Sequence, residues 1–114
     1  MPHDESLLID MLRFARQAAR AGSQVTTEQL EGDDDLQATV LWPLTLLGEA
    51  ASRISDQCRE TNPHIPWRRI VGLRNVLIHD YSGVDFIAVS EVLRLHLPAL
   101  IVMLEALGLD SASE

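Results

Sequence analysis

The sequence predicts an all-α fold: an antiparallel bundle of four or five helices in a single domain that spans residues 1–114. Three observations lead to this prediction. A chain of 114 residues can bury one hydrophobic core but is too short for two. Only 6 Gly and 5 Pro interrupt it, and runs of β-branched residues are few. Apolar residues recur every three to four positions in the long segments, which is the period of a helix.

The first helix is predicted from about Asp4, which can act as its N-cap, to Arg20. Apolar side chains recur along it at helical spacing, and Gly22 ends it. The next segment, SQVTTEQLEGDDD, is polar and acidic. It is therefore predicted to be a loop that holds one short helical turn from Thr27.

A second helix is predicted from Asp34 or Asp35, whose carboxylates suit the positive end of a helix dipole, to about Arg59. Pro43 lies inside it and should kink it, because the ring removes one hydrogen bond and clashes one turn back. Four small residues further along should let another helix approach closely: Gly48, Ala50, Ala51 and Ser52. The stretch TNPHIP then breaks the helix.

The third helix is predicted to open at Trp67 and to run to His79 or Asp80. Its apolar stripe consists of Ile70, Leu73 and Leu77. Another face carries only polar or small residues, at spacings of four, three and four: Arg68, Gly72, Asn75 and His79. A face without bulky apolar groups is available to a ligand.

The last helix is predicted from Asp85, an N-cap after the Ser82-Gly83 turn, to Gly108. Pro98 should bend it. A seam of leucines alternates four and three residues apart along it: Leu93, Leu97, Leu100, Leu104 and Leu107. A helix with a seam this long can also pack on a second copy of the chain.

The charge is unevenly distributed along the chain. The net charge of −8 is unfavourable for a general nucleic-acid binder. Residues 61–79, however, contain no acid and carry three cations, Arg68, Arg69 and Arg74. The stretch RNVLIHDY therefore lies at the end of the one cationic window of an acidic molecule.

The sequence favours a soluble cytoplasmic protein without a membrane segment. Its single cysteine, Cys58, excludes an internal disulfide and fits a reducing compartment. The N-terminal MPHDESLL lacks the pattern of a signal peptide. The longest uncharged apolar stretches are shorter than the roughly 20 residues that cross a bilayer.

The stretch RNVLIHDY, residues 74–81, combines groups that suit metal-independent RNA cleavage. His79 can exchange protons near neutral pH, and Arg74 offers a planar fork of donors for phosphate. Asn75, one turn before His79, can donate to the phosphate or fix the imidazole. No group of residues with metal-ligand spacing accompanies them, so no metal and no cofactor is expected.

Geometry leaves alternatives open for these residues. Arg74 lies five residues before His79, about 140° around an ideal helix, so one straight helix does not bring the two side chains together. Either the arginine wraps round the helix or a symmetric dimer juxtaposes two copies. Spacing alone favours a structural role, because cations suit the negative end of a helix dipole.

The order of residues in this stretch also resembles a known family signature. Arg74, Asn75, three apolar residues, His79, one residue and Tyr81 resemble the R-x4-H-x-Y signature of HepT-like toxins of the HEPN superfamily. LGEAASRIS resembles the family's GEA segment, NPHIPWRRIVGLRNVLIHDY its hallmark block, and VDFIAV with HLPAL its final helix. Together these cover about residues 36–107. Pro43 in the GEA-bearing helix is a departure from the family's pattern.

The resemblance implies a helical homodimer whose two signatures face one cleft. It implies a metal-independent endoribonuclease toxin of a type II toxin–antitoxin pair, with Arg74, Asn75 and His79 as active-site residues. It further implies a small MntA-like nucleotidyltransferase antitoxin that transfers AMP to Tyr81. The added phosphate would repel RNA and occupy Arg74. With RNA as the implied substrate, we expect Arg68 and Arg69 to contact it. Because the chain has no Lys and is strongly acidic, we expect a restricted substrate or slow turnover rather than broad RNA binding.

A second hypothesis is a binding module that cleaves nothing, docks the nucleotidyltransferase and accepts AMP. A third is a helical scaffold, which the intact signature disfavours. Among other polar residues, Glu49 is expected to pair with Arg53 or Arg74 rather than to act in catalysis. Asp80 is expected to be exposed, and His96, which has no partner at a telling spacing, is expected to be an ordinary surface or boundary histidine.

Overall fold

A computed structural model of the protein describes residues 2–22, 24–77 and 83–109. Within these ranges the chain is helical and no strand occurs. The elements are α1 (Pro2–Gly22), α2 (Thr27–Glu31), α3 (Asp34–Ser52), α4 (Asp56–Thr61), α5 (Trp67–Val71), α6 (Leu73–Leu77), α7 (Phe86–Glu91), a π-helical turn (Val92–His96) and α8 (Leu97–Glu105). The predicted all-α bundle is confirmed.

Helix α1 confirms the first predicted helix and forms one wall of the core. It begins at Pro2, however, so Asp4 lies in its first turn and is not its N-cap. Its apolar stripe, which includes Met11, Leu12 and Ala15, is fully buried. The helix packs along α3 and against α8. At its middle, Arg16 Nη2 lies 2.8 Å from Glu105 Oε2 at the end of α8. Helix α1 therefore holds α3 and α8 together.

The acidic connection holds the short helix that the sequence predicts near Thr27. Thr26 caps α2, because its hydroxyl accepts from the Gln29 N–H and the Gln29 side chain accepts from the Thr26 N–H. Leu30 is fully buried and anchors this helix on the core. The Thr27 hydroxyl donates to the buried Ser90 Oγ of α7 at 2.9 Å.

Helix α3 begins as predicted but ends seven residues earlier than the predicted Arg59. Asp33 caps its start, and the helix continues across Pro43 to Ser52. Ser55 then begins a separate helix, α4, by accepting from the Cys58 N–H with its hydroxyl. Arg59 Nη2 donates back to the Ala51 carbonyl oxygen at 3.0 Å, which satisfies the exposed end of α3. The predicted kink at Pro43 stays a prediction.

The predicted third helix is divided into α5 and α6 at Gly72. The Gly72 N–H bonds the Arg68 carbonyl oxygen, and the Asn75 N–H bonds the Gly72 carbonyl oxygen at 3.0 Å. The second bond spans three residues rather than four, so the chain tightens by part of a turn between the two helices. Ile70, Leu73 and Leu77 are buried as predicted. The tightening means that the face predicted from Arg68 to Asn75 is not that of one regular helix.

The last helix begins at the predicted cap, Asp85, whose side chain accepts from the Ala88 N–H. It contains a π-helical turn over Val92–His96 that the sequence did not predict. Pro98 has no N–H and its ring would crowd the carbonyl one turn back, and the wider turn just before it accommodates both effects. The leucine seam faces the core, with Leu93, Leu97, Leu100 and Leu104 buried.

The continuous stretch Phe86–Glu105 has 20 residues and a mean hydropathy of 1.8 over its most apolar window. By length and composition it could cross a membrane, which the shorter uncharged stretches of the sequence did not indicate. Core helices of water-soluble proteins meet the same criteria. Its leucine seam is buried against the other helices, and 39% of the apolar window is buried in the fold.

Candidate active site

Arg74 and Asn75 project from α6 into solvent. Their neighbours Leu73 and Leu77 are buried at 6% and 3% exposure, which fixes this helix on the core. Adjacent residues on a helix point about 100° apart, so side chains next to a buried pair must face outward. The Arg74 side chain is 77% exposed. Its guanidinium is available to an incoming phosphate.

Gly48 of α3 sets the distance between α3 and the helices that carry Arg74. A Cβ atom at this position would lie 3.1 Å from the carbonyl oxygen of Ile70 and 3.6 Å from Cβ of Leu73. Any larger residue would separate the two helices. The prediction that small residues here allow close approach is confirmed, and it gives a physical role to the glycine of LGEAASRIS.

Glu49 follows Gly48 and faces Arg74 across the helix junction. Its Oε2 lies 3.9 Å from Arg74 Nη2, so the predicted pairing with Arg74 is the one that forms. Both side chains are more than half exposed, so the ion pair is weak and solvent-screened. A phosphate with better geometry can therefore displace Glu49 from the guanidinium.

A cleft of about 330 Å³ opens between α3 and the α5–α6 junction. It is lined by Thr45, Gly48, Glu49, Ser52, Val71, Arg74 and Asn75. The structure thus brings two of the predicted active-site residues, Arg74 and Asn75, to one cleft. His79, Asp80 and Tyr81 lie outside the described residues, and their predicted roles stay predictions.

The cleft contains hydroxyl, amide, carboxylate and guanidinium groups, which are donors and acceptors for a phosphate and a ribose. Across residues 2–22, 24–77 and 83–109, no three His, Cys, Asp or Glu side chains form a candidate metal site. The two described groups with shifted pKa values, Asp4 and Cys58, do not line the cleft.

Comparisons of the sequence with known proteins show the family. The sequence model of the family described as "Ribonuclease HepT-like" matches residues 11–107, which include every residue that lines the cleft. The chain belongs to the ribonuclease HepT-like family. This confirms the resemblance to HepT-like proteins of the HEPN superfamily that the signature indicates.

Individual relatives of this HepT-like chain carry matching names. It is 29% identical over 96 residues to "Putative RNase MJ1380" of Methanocaldococcus jannaschii, covering 84% of this chain and 88% of that one. It is 31% identical over 77 residues to "Probable ribonuclease HepT" of Thermococcus cleftensis, covering 68% and 70%. No solved structure matches the chain.

Arg68 and Arg69, predicted to bind RNA, are both exposed, but Arg69 belongs to a different cavity of this HepT-like protein. That cavity, of about 630 Å³, lies between α5–α6 and the last helix and has a floor of buried apolar side chains. Arg69 Nη1 lies 3.3 Å from Nδ1 of His96, and His96 Nε2 lies 3.7 Å from Glu91 Oε1. His96 is half-buried, as expected of a boundary histidine, and it has two partners that sequence spacing did not indicate. RNA contact by Arg68 and Arg69 stays a prediction.

Three cleft residues of this HepT-like chain were not singled out as functional by the sequence analysis: Thr45, Ser52 and Val71. Thr45 and Ser52 lie on the same face of α3 as Glu49, at spacings of four and three residues from it. That spacing is a signal the sequence contains. It becomes meaningful only when the contact at Gly48 shows which face of α3 meets Arg74.

Proposed function

We propose that this protein is a metal-independent endoribonuclease, and that it acts as the toxin of a two-gene toxin–antitoxin pair. The observation that carries the proposal is the exposed Arg74 beside Asn75 on a cleft, in a chain of the ribonuclease HepT-like family. The site is small and polar, which suits one phosphodiester rather than a long duplex. A compact site also suits a molecule with a net charge of −8.

The proposed reaction uses the ribose 2′-hydroxyl as nucleophile. His79 takes the 2′-hydroxyl proton, the 2′-oxygen bonds to phosphorus, and the bond from phosphorus to the 5′-oxygen breaks. A second histidine or the same one, now protonated, gives a proton to the leaving 5′-oxygen. Arg74 stabilises the added charge on the phosphorane oxygens, and Asn75 donates a further hydrogen bond. The products are a 2′,3′-cyclic phosphate and a 5′-hydroxyl.

The active unit is proposed to be a homodimer. Because Arg74 and His79 are five residues apart, one regular helix would separate them by about 140°. A two-fold axis beside α6 would instead set the arginine of one copy opposite the histidine of the other. The exposed positions of Arg74 and Asn75 support this arrangement, since side chains that project into solvent can reach a second copy.

Regulation is proposed to act through Tyr81, which follows Arg74 by seven residues. A small nucleotidyltransferase antitoxin of the MntA type transfers AMP from ATP to the tyrosine hydroxyl and releases pyrophosphate. The new phosphodiester places a negative charge and an adenosine near Arg74 and excludes RNA. We propose that both proteins act in the cytoplasm, where their RNA and ATP substrates occur.

Cleavage of RNA in the presence of EDTA tests the proposed function. The wild-type protein should cut, and His79→Ala should lower the rate by roughly 10² to 10⁴. Arg74→Ala should lose activity to a similar extent while it stays folded. The matched control is Arg94→Ala, which removes an exposed arginine of the π-helical turn that lines neither cavity and should cut normally. Undiminished cutting by His79→Ala would end the proposal.

A separate experiment distinguishes the binding-module hypothesis. If the pure protein cuts no RNA, yet the nucleotidyltransferase and ATP add a mass of AMP that Tyr81→Phe abolishes, the chain is an acceptor module and not a nuclease. If the mass is added and the modified protein loses an RNA-cutting activity that it had before, both the toxin and its proposed regulation are supported.

A further inference from the structure

Trp42 is exposed to an extent that is unusual for tryptophan. It lies at the middle of α3 with 62% of its surface accessible. The other tryptophan, Trp67, is 8% exposed, and its Nε1 donates to the Asn62 carbonyl oxygen at 3.0 Å. Large aromatic side chains are normally buried, because each buries 150–250 Å² of apolar surface. An exposed indole therefore points to contact with something outside the chain.

The position of Trp42 relates it to the cleft. Thr45 and Glu49 line the cleft, and they follow Trp42 at three and seven residues on the same face of α3. Seven residues correspond to about 10 Å along a helix axis. A stacked nucleic-acid strand advances 3.4 Å per nucleotide, so this distance is roughly three nucleotides. One strand can reach both the cleft and the indole.

The surroundings of Trp42 favour a polyanion with exposed bases. No charged residue occurs in α3 between Asp35 and Glu49, although the molecule as a whole has a net charge of −8. On its face Trp42 is flanked by Ala38 and Thr45, both exposed. Arg74 across the cleft supplies the cation for a phosphate. Along α3 the carboxylates nearest the ring, Asp35 and Glu49, are each seven residues away, and Glu49 is the one that a phosphate must displace from Arg74.

A second copy of the chain is the other conceivable occupant of this surface. Among the described residues, the remaining large exposed apolar side chains are Ile87, Leu95 and Val102, which all belong to the last helix. A protein interface generally covers a contiguous apolar patch. Trp42 belongs to α3 and not to the last helix, and Ala38 and Thr45, which flank it on its face, are small or polar, so a stacking platform fits it better than an apolar interface.

We propose that Trp42 stacks on one base of a single-stranded RNA whose phosphate Arg74 holds in the cleft. This rests on the proposed function and adds a base-binding subsite to it. Stacking on an aromatic ring tolerates any base, because every base has a π-face. The subsite would therefore select unpaired RNA over duplex without selecting a sequence.

Tryptophan fluorescence tests the subsite directly. The probe is a single-stranded oligoribonucleotide of about eight nucleotides, a length within the usual footprint of such sites, with every 2′-hydroxyl methylated so that it binds without being cut. Titration into wild-type protein should quench the signal of Trp42, while the buried Trp67 gives a constant background. Trp42→Ala should lose the quenching and weaken binding by about 5- to 150-fold, and Trp42→Phe should retain most of the affinity.

Kinetics and two controls separate stacking from other roles. With cleavable RNA, Trp42→Ala should raise KM and leave kcat nearly unchanged, because the ring does not touch the reacting phosphate. Gln17→Ala removes an exposed, uncharged side chain of α1 that lines neither cavity and should change neither constant. The association state of Trp42→Ala, measured by sedimentation, should equal that of wild type.

Three results would overturn the subsite. These are unchanged KM in Trp42→Ala, absence of quenching by a probe that demonstrably binds, and a lower association state in Trp42→Ala, which would assign the ring to contact with a second copy. Failure of the proposed function gives a different pattern. In that case the wild-type protein cuts no RNA. The probe can still quench the fluorescence of Trp42, and the loss of this quenching in Trp42→Ala still tests the subsite.

Discussion

The guanidinium of Arg74 and the carboxylate of Glu49 face each other at 3.9 Å across the junction of α3 and α6, with both side chains largely in solvent. The pair holds the cation at the cleft but also competes with phosphate for it. We predict that Glu49→Gln binds uncut single-stranded RNA several-fold more tightly at low salt, because a nearby negative charge is removed. Fluorescence polarisation with a labelled, 2′-O-methylated RNA measures the effect.

The same substitution should barely change stability. Exposed ion pairs contribute about 0–1 kcal/mol, so the free energy of unfolding of Glu49→Gln should lie within about 0.5 kcal/mol of wild type. Urea unfolding provides this number. Weaker RNA binding in Glu49→Gln, or a large loss of stability, would show that the carboxylate positions Arg74 more strictly than its exposure indicates.

Arg74→Lys tests whether the fork of the guanidinium is used. Lysine keeps the charge but offers a compact ammonium in place of two parallel N–H donors. We predict that kcat falls by at least about tenfold while RNA affinity changes by much less, because only the transition state has the geometry that the fork matches. Single-turnover cleavage and equilibrium binding separate the two effects. Equal losses in both would mean that Arg74 acts only as a point charge in substrate binding.

Gly48→Ala tests the close approach of α3 to α5. Alanine improves helix propensity by about 1 kcal/mol, but its Cβ would lie 3.1 Å from a backbone carbonyl oxygen that cannot easily move. We predict a net destabilisation of about 1 kcal/mol and reduced cleavage, because the cleft widens. The control is Gly32→Ala, where the nearest atom would be 3.5 Å away, an ordinary contact. If Gly48→Ala were as stable and active as Gly32→Ala, the close approach would not matter.

The hydrogen bonds between Asp4 and Ser55 should make the stability of the fold depend on pH in the acidic range. The Ser55 hydroxyl donates to Asp4 Oδ2 at 2.6 Å and the Ser55 N–H donates to Asp4 Oδ1 at 2.9 Å, which connects α1 to the start of α4. These hydrogen bonds lower the pKa of Asp4 below its ordinary value of 3.8. The contribution to stability is therefore complete above that value and is lost as the pH falls from there through the folded-state pKa.

Asp4→Asn measures that contribution. The amide retains one acceptor but cannot replace both bonds, so the variant should be less stable than wild type at pH 7. The difference between the two should shrink as the pH falls from about 5 to about 2, because wild-type Asp4 becomes protonated. Urea unfolding of both proteins across this range is the measurement. A constant difference would mean that the charge of Asp4 is irrelevant.

The sequence predicts those parts of the fold that depend on local patterns. The start of α3 at Asp33–Asp35, the cap at Asp85 and the buried leucine seam all follow from capping and periodicity. The points at which a long helical pattern is interrupted were harder to predict. Ser55, which caps α4, lies inside an uninterrupted helical pattern of the sequence. What ends α3 there is tertiary, since Asp4 binds Ser55 and Arg59 covers the last carbonyls.

The candidate site, like the fold, could be predicted from the sequence only in part. Arg74 and Asn75 could be singled out from the signature, because their types and spacing are written in the sequence. The other residues that line the cleft could not be predicted, because they depend on which face of α3 meets α6. The contact at Gly48 decides this and brings Thr45 and Glu49 to Arg74. The π-helical turn before Pro98 and the bond from Arg69 to His96 likewise depend on packing.

The most direct test of the account is complementation between two inactive variants. Arg74→Ala and His79→Ala are mixed, dissociated in mild denaturant and reassociated, so that mixed dimers form. If each site takes its arginine from one copy and its histidine from the other, every mixed dimer contains one intact site. Cleavage should then recover to about a quarter of the wild-type rate. Mixed dimers that form, as shown by mass spectrometry, and yet cut no RNA would contradict a site shared between two copies.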